Sequence, residues 1–304
     1  MSEQTHPTED EVRALLRDRS NWGRWGKDDQ LGAMNLVTPQ KRAAAASLVH
    51  SGRTVSLSRP FPKTPAPNNP NPAQHWMRSF TFPTGGGAVV DYYAISYHGQ
   101  AATHIDALCH VWNDEGLWNG RTPDVLTGNG ARWGSIDNWS NGIITRGVLL
   151  DVPSFRGEPY VAHDSPVTGV ELEQIARRQG VAIEPGDAIV VHSGREAYNR
   201  ESGQTWGAGG RNPGLHASCL KPIRDWDVST LVWDMMDLSP SGYEVRWTVH
   251  GALPMFGIAL VDNALLEPLS QACAEEERYE FMLMLAPLVV VGGTGSPLNP
   301  LAMF

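Results

Sequence analysis

The sequence predicts a single α/β domain built mainly on strands, with few helices around them. Three observations carry this. The 304 residues suffice for one large domain with a substantial core. Segments with strand-like patterning outnumber helical ones. The helical segments do not alternate regularly enough with strands to give a doubly wound sheet. An apolar content of 41% and a charged content of 19% place the chain among ordinary soluble globular proteins.

The elements follow in chain order. "TEDEVRALLRDRS" reads as a short N-terminal helix with acidic residues in its first turn, and residues 1–21 are set apart as that helix ahead of one domain over 22–304. A Gly- and Asp-rich loop carrying Trp22 and Trp25 leads to a second helix. Thr38 is its N-cap, Pro39 its first helical residue, and Gly52 lies past its end. "RTVSLSRP" alternates as a strand. "FPKTPAPNNPNPAQHW" is too proline-rich for a ladder and reads as a long loop. "AVVDYYAISY" is strand-like through Tyr97, and "GIITRGVLLDVP" is a strand buried on both faces near its end. "TGVELEQIARRQG" is a helix with a Thr168–Glu171 capping box and Gly180 as its stop. It is followed by a strand ending at His192. "VSTLVWDMMD" and "GIALVDNALLE" are two further strand-to-loop units. "YEFMLMLAPLVVVGGTGSPLNP" is a last strand pair or one long bent strand, ending in a glycine-rich loop.

Composition narrows the function. The formal net charge of −9 argues against a nucleic-acid surface, which needs a basic patch. No stretch of eighteen apolar residues is present, and the polar, acidic first residues lack the pattern of a signal peptide. Three widely spaced cysteines (Cys109, Cys219, Cys273) fit neither a disulfide framework nor a zinc ribbon. Together these features lead us to expect a cytoplasmic protein that acts on a small molecule, with no membrane or nucleic-acid partner.

The chemistry concentrates in "SYHGQAATHIDALCHVW". If residues 98–106 are extended, His98, Gln100, His104 and Asp106 share one face, and a turn returns His110 to the same place. Imidazole plus carboxylate suits zinc, manganese or iron, and an open coordination position would activate water as a nucleophile. Three histidines that merely satisfy a core are the bland alternative. A Cys109 nucleophile is disfavoured because neighbours on a strand point apart, which makes His110 a poor base for it.

"THIDALCH" resembles the T-H-x-D-x-x-x-H core of the metal-dependent cyclase family, which includes bacterial kynurenine formamidase, isatin hydrolase and plant cyclase-like proteins. "WGKDDQLGAMNLVTP", "PGDAIVVHSG", "HGALPMFGIALVDNALLE" and "GGTGSPLNPLA" resemble further family segments in the same order, from about Trp22 to the C-terminus. This resemblance, to the longer bacterial members, implies a kynurenine-formamidase-like (swivelling β/β/α) domain with a barrel-like mixed sheet, and a homodimer or homotetramer. It implies one or two divalent ions, Zn or Mn, held by His104 and Asp106, with His110 as a ligand or in contact with the reactive water. The family's earlier histidine, four residues before the one matching His104, falls on Gln100. Either His98 or Gln100 takes that role, and imidazole favours His98. His250 matches a C-terminal ligand or acid/base. Asp262 stands where the family usually has Glu, and is either a ligand or an Asx-turn residue. The expected activity is hydrolysis of an amide, lactam, lactone or formamide of a small cyclic or aromatic substrate. A cyclase or dehydratase on the same metal, or a metal-free ligand-binding relative, are the alternatives. Trp22, Trp25 and His192 are candidate pocket residues.

Overall fold

The structure, a computed structural model, describes residues 6–304. Its elements in chain order are α1 (Glu9–Asp18), α2 (Pro39–Ala46), β1 (Thr54–Ser56), β2 (Gln74–Thr81), β3 (Gly87–Ala94), β4 (His104–Asp106), the short β5 (Leu126–Thr127) and β6 (Gly130–Ala131), and β7 (Ile143–Asp151). They continue with α3 (Val152–Arg156), α4 (Gly169–Gln179), β8 (Ala188–His192), α5 (Arg195–Glu201), α6 (Leu220–Asp225), β9 (Thr230–Trp233), α7 (Ala252–Phe256) and β10 (Ala259–Asp262). The last are α8 (Glu267–Glu275), β11 (Glu280–Leu285), β12 (Gly295–Pro297) and β13 (Leu301–Met303).

Nine strands form one mixed sheet in the order β1-β13-β11-β7-β8-β9-β10-β4-β12, curled into a half-barrel whose edge strands do not pair with each other. The centre, β7-β8-β9-β10, is parallel, and β4 and β12 add antiparallel on the β10 side. Successive parallel strands are spatial neighbours, so right-handed crossovers bring their helices to one face. Val12 and Leu16 of α1 pack there, with Leu172 and Ile175 of α4, Leu220 and Ile223 of α6, and Leu253 and Phe256 of α7. Beneath them lie Val148, Leu150, Ile189, Val191, Leu231 and Leu260. Leu149, Val190, Val232 and Val261, one residue out of phase, face the other side with Leu269, Phe281 and Phe304. Both faces are buried, which is why these strands read as continuous apolar runs.

The capped helices form as expected. Thr8–Glu11 and Thr168–Glu171 are capping boxes, and Thr38 caps α2 with Pro39 first. Eight α-helices occur among the described residues, more than expected, because α3, α5, α6 and α7 are only five to seven residues long, too short to show a period of 3.6. Val12 and Leu16 of the N-terminal helix are buried in the main core. The part of that segment over residues 1–5 lies outside the described residues.

Three other expectations are corrected. The end of the proline-rich segment is strand, because Gln74–Thr81 pairs with Gly87–Ala94 in a separate hairpin. β3 stops at Ala94 rather than running to Tyr97. The closing segment is not one strand pair. β11 sits between β13 and β7, whereas β12 crosses to the far edge beside β4.

Candidate metal centre

β4 is only three residues long, yet all three are buried, and it lies between β10 and β12. Alternation along this strand puts His104 and Asp106 on one side. Register with β10 sets His104 opposite Asp262 and Asp106 opposite Leu260. A turn follows, closed by the His110 amide donating to the Ala107 carbonyl at 2.9 Å. It returns His110 so that its Nε2 lies 3.7 Å from Asp106 Oδ2.

Residues 98–103 are not extended. Gly99 takes a positive φ of 156°, and the chain bends through this stretch. The shared-face argument therefore holds for His104 and Asp106 only. His98 arrives by the loop instead, its ring stacked on His110 with centroids 3.6 Å apart. Gln100 is held differently, its carbonyl accepting from Arg195 and its side chain packed against Gly207.

Two overlapping triads result, His98–Asp106–His110 and His104–Asp106–Asp262, each with its ligand-type atoms within 4.8 Å of one another. Asp106 belongs to both. It is fully buried, and neither of its oxygens has a hydrogen-bond partner. His98 Nδ1 is 2.9 Å from Asp106 Oδ1 but outside hydrogen-bonding geometry, and it too is buried without a partner. Buried polar atoms without partners are rare and costly. A cation between them satisfies all three at once, so these residues fit a divalent ion. His104 supports the same reading. Its Nδ1 donates to the Ala102 carbonyl at 2.8 Å, which leaves the Nε2 lone pair facing Asp106 and Asp262.

Charge is distributed unevenly. Burial, with the Asp262 charge beside it, pushes the Asp106 carboxyl up to about 7. Burial also lowers His98 to about 4 and His110 to about 3, the latter helped by repulsion from His98. Both imidazoles are therefore neutral near pH 7, the form that binds metal. Burial opposes ionisation of Asp262 as well. Its contacts with His250 outweigh that and hold the carboxyl well below its ordinary range. Its Oδ1 accepts from Trp233 Nε1 at 2.5 Å, and its Oδ2 lies 3.2 Å from His250 Nε2. Among the described residues the Asp262 side chain bonds to Trp233 and His250 and to no backbone amide, which does not fit an Asx turn. For His250, burial alone would lower the pKa, but Asp237 and Asp262 together raise it well above the usual histidine value. Asp237 bonds His250 Nδ1 and also accepts from the Thr248 hydroxyl and the Val249 and His250 amides.

The sequence profile of one family, described as "Putative cyclase", matches residues 53–240, more than half of the chain. The chain belongs to the cyclase family. A crystal structure described as a novel cyclase is 30% identical, superposes with a TM-score of 0.81, and aligns over 94% of this chain and 99% of its own. An isatin hydrolase bound to the product analogue thioisatinate shares the fold at 16% identity and a TM-score of 0.57, over 87% of this chain and 98% of its own. Isatin hydrolase A from Labrenzia aggregata, bound to benzyl benzoate, does so at 18% and 0.54, over 85% and 94%. No curated protein sequence matches the chain.

In this cyclase-family chain, the clefts beside the cluster join His98, Gln100 and His250 to residues the sequence did not single out. A cleft of about 250 Å³ runs from His250 and Asp237 past Trp247, Trp206 and Arg246 to Gln100. A second of similar size opens at His98 and Gln100. The proposed pocket tryptophans lie elsewhere. Trp22 donates its indole N–H to the Pro254 carbonyl at 2.7 Å, and Trp25 packs against Trp118 with ring centroids 6.1 Å apart. Both rings are drawn to the core because the loop that carries them closes over α7. His192 lines neither cleft. Its Nδ1 is 3.1 Å from Asp151 at the end of β7, and that contact holds its pKa up against the opposing effect of burial.

Asp237, Trp233 and Thr294 were missed. Asp237 and Trp233 orient His250 and Asp262, and the Thr294 hydroxyl is 3.0 Å from His98 Nε2. "DMMD" carried a signal for Asp237, because a second acid just beyond a strand end is poised to face the site. Cys109 is buried, and burial pushes its thiol up to about 12, which favours the unreactive thiol form.

Proposed function

We propose that this chain is a metal-dependent hydrolase that opens an amide, lactam, lactone or formamide bond of a small cyclic or aromatic substrate. The observation that carries the reading is Asp106, buried, without a hydrogen-bond partner and common to both His/Asp triads. His104, Asp106 and Asp262 are the residues to hold one divalent ion. His98 and His110, at the other side of Asp106, provide for a second or complete the first. When bound, zinc or manganese supplies Lewis acidity toward a carbonyl oxygen and lowers the pKa of water.

The protein's own groups do the rest. His250 is fixed through Nδ1 by Asp237, and its Nε2 faces the ligand Asp262. From there it exchanges a proton with the reacting water or the leaving group. Trp247, part-exposed on the cleft wall, gives a flat apolar surface that suits an aromatic ring. The likeness to isatin hydrolases supports the hydrolase class. We further propose a cytoplasmic setting, supported by three buried free cysteines, and a small-molecule substrate, supported by the cleft size.

Metal analysis combined with a panel of lactams, lactones, formamides and activated amides tests this. The expected result is one to two equivalents of metal and hydrolysis stimulated by Mn²⁺ or Zn²⁺, both lost in Asp106→Asn. Bound metal without hydrolysis of any panel member points to a cyclase or dehydratase. Absence of stoichiometric metal points to a ligand-binding relative.

A further inference from the structure

The cleft that begins at His250 is uneven in charge. Asp237 is the one acid among its lining residues, and both of its oxygens are already engaged by His250, the Thr248 hydroxyl and two backbone amides. Arg246 is the one lining arginine. It is exposed at the edge of the cleft and has neither an ion pair nor a hydrogen bond among the described residues. By contrast, Arg24, Arg59, Arg146, Arg156 and Arg200 are each paired with a carboxylate. In a chain of net charge −9, a free guanidinium at a cleft draws in anions that the rest of the surface repels.

Two neutral groups add donors to the same cleft. Asn212 Oδ1 accepts from the Gly207 amide at 3.1 Å, which leaves the Nδ2 hydrogens to donate. The Ser239 hydroxyl has no partner among the described residues.

Trp247 connects Arg246 to the metal centre. Its ring lies 5.8 Å from the Arg246 guanidinium carbon, and 5.6 Å, centroid to centroid, from the His250 imidazole. One indole thus separates the free cation from the residue that faces Asp262. A single aromatic ring laid on Trp247 reaches from one to the other.

We propose that Arg246 is a specificity residue, which selects substrates whose aromatic ring carries a carboxylate on the side away from the scissile bond. Its planar fork offers that carboxylate two parallel charge-assisted hydrogen bonds. Asn212 Nδ2 and the Ser239 hydroxyl supply further donors. The proposal rests on the hydrolase reading for which end of the cleft is reactive, and narrows that reading to anionic substrates.

Isothermal titration of the metal-loaded protein tests it, with aromatic probes that hold no hydrolysable bond. Benzoate is compared with benzyl alcohol, and phenylacetate with phenethyl alcohol. The wild type is expected to bind each acid at least about tenfold more tightly than its alcohol, as a hydrogen bond to a charged group gives. Arg246→Met is expected to bring that ratio down to about one, because nothing else in the cleft replaces the charged pair. Arg246→Lys keeps part of it, since the charge stays but the fork is lost. Circular dichroism checks that both variants fold. Equal affinities in the wild type overturn the proposal. So does a preference for the acids that survives Arg246→Met, which would put the carboxylate on the metal instead. These are binding ratios, so a protein that hydrolyses no panel member fails the hydrolase reading and leaves them standing.

Discussion

Asp106 shows how one residue sets the cost of a site. Most buried carboxylates here are provided for. Asp234, for example, accepts the backbone amides of Ser193, Gly194, Arg195 and Met235. Asp106 has no such donors, and without metal its charged form is penalised both by burial and by Asp262. A raised folded-state pKa means that the metal-free protein is most stable while this group stays protonated, and that stability falls as pH rises toward about 7. Asp106→Asn removes the charge at nearly constant volume. At pH 8, chelator-treated Asp106→Asn is expected to be more stable than chelator-treated wild type, by about 1–3 kcal/mol, the usual cost of an unsatisfied buried group. With metal present the order reverses. Urea titrations of both proteins, with and without chelator, measure this. A metal-free variant less stable than the wild type would sink the account.

At the scale of elements, the site depends on backbones that approach closely. Gly257 ends α7 in a left-handed conformation, directly after the helix that follows His250. A Cβ there would lie 2.7 Å from Trp118 Cζ3 and 2.9 Å from Gly32 Cα. Strain in the positive-φ region and the clash act together, so Gly257→Ala is expected to cost about 2–4 kcal/mol and to displace His250. Thermal unfolding, with hydrogen exchange over 248–262, reads both effects. A loss below 0.5 kcal/mol counts against it. The same scale explains what the sequence could reveal. Capped helices and the apolar runs of β7, β8, β9 and β10 were legible because caps and burial are local signals. The spacing of His104, Asp106 and His110 was legible too, since it needs only a strand and a turn. The route of His98 was not. It depends on the loop of residues 98–103, which Asn263 pins by donating to the Gly99 and Ala102 carbonyls at 2.8 and 3.0 Å. Those partners are more than 160 residues away in sequence. The pull of Trp22 and Trp25 into the core was hidden for the same reason, because their partners Pro254 and Trp118 are also far away along the chain.

For the molecule as a whole, the question is how four separate chain segments are held to one metal cluster. Arg195 supplies much of the answer. It is buried just past the end of β8, and its guanidinium donates to the Asp234 carbonyl beyond β9 at 3.1 Å. It also donates to Asn263 Oδ1 beyond β10 at 2.6 Å, and to the Gln100 carbonyl in the His98 loop. Its planar face covers the Trp206 ring at 4.3 Å. No single sheet contact spans these segments, so the guanidinium fork registers the strand ends against the loop. Lysine keeps the charge but offers one point donor in place of a fork. Arg195→Lys is therefore expected to lose at least one of these bonds and to leave an acceptor buried, lowering stability by about 2–4 kcal/mol. Because Asn263 and the His98 loop move with it, metal affinity should fall about 10- to 100-fold, the range seen when groups supporting metal ligands are removed. Competition with a fluorescent chelator measures the affinity, and urea unfolding of the metal-free protein measures the stability. If stability drops while affinity is unchanged, Arg195 braces the fold alone and the link between sheet and site must run through Asn263 and Thr103 instead.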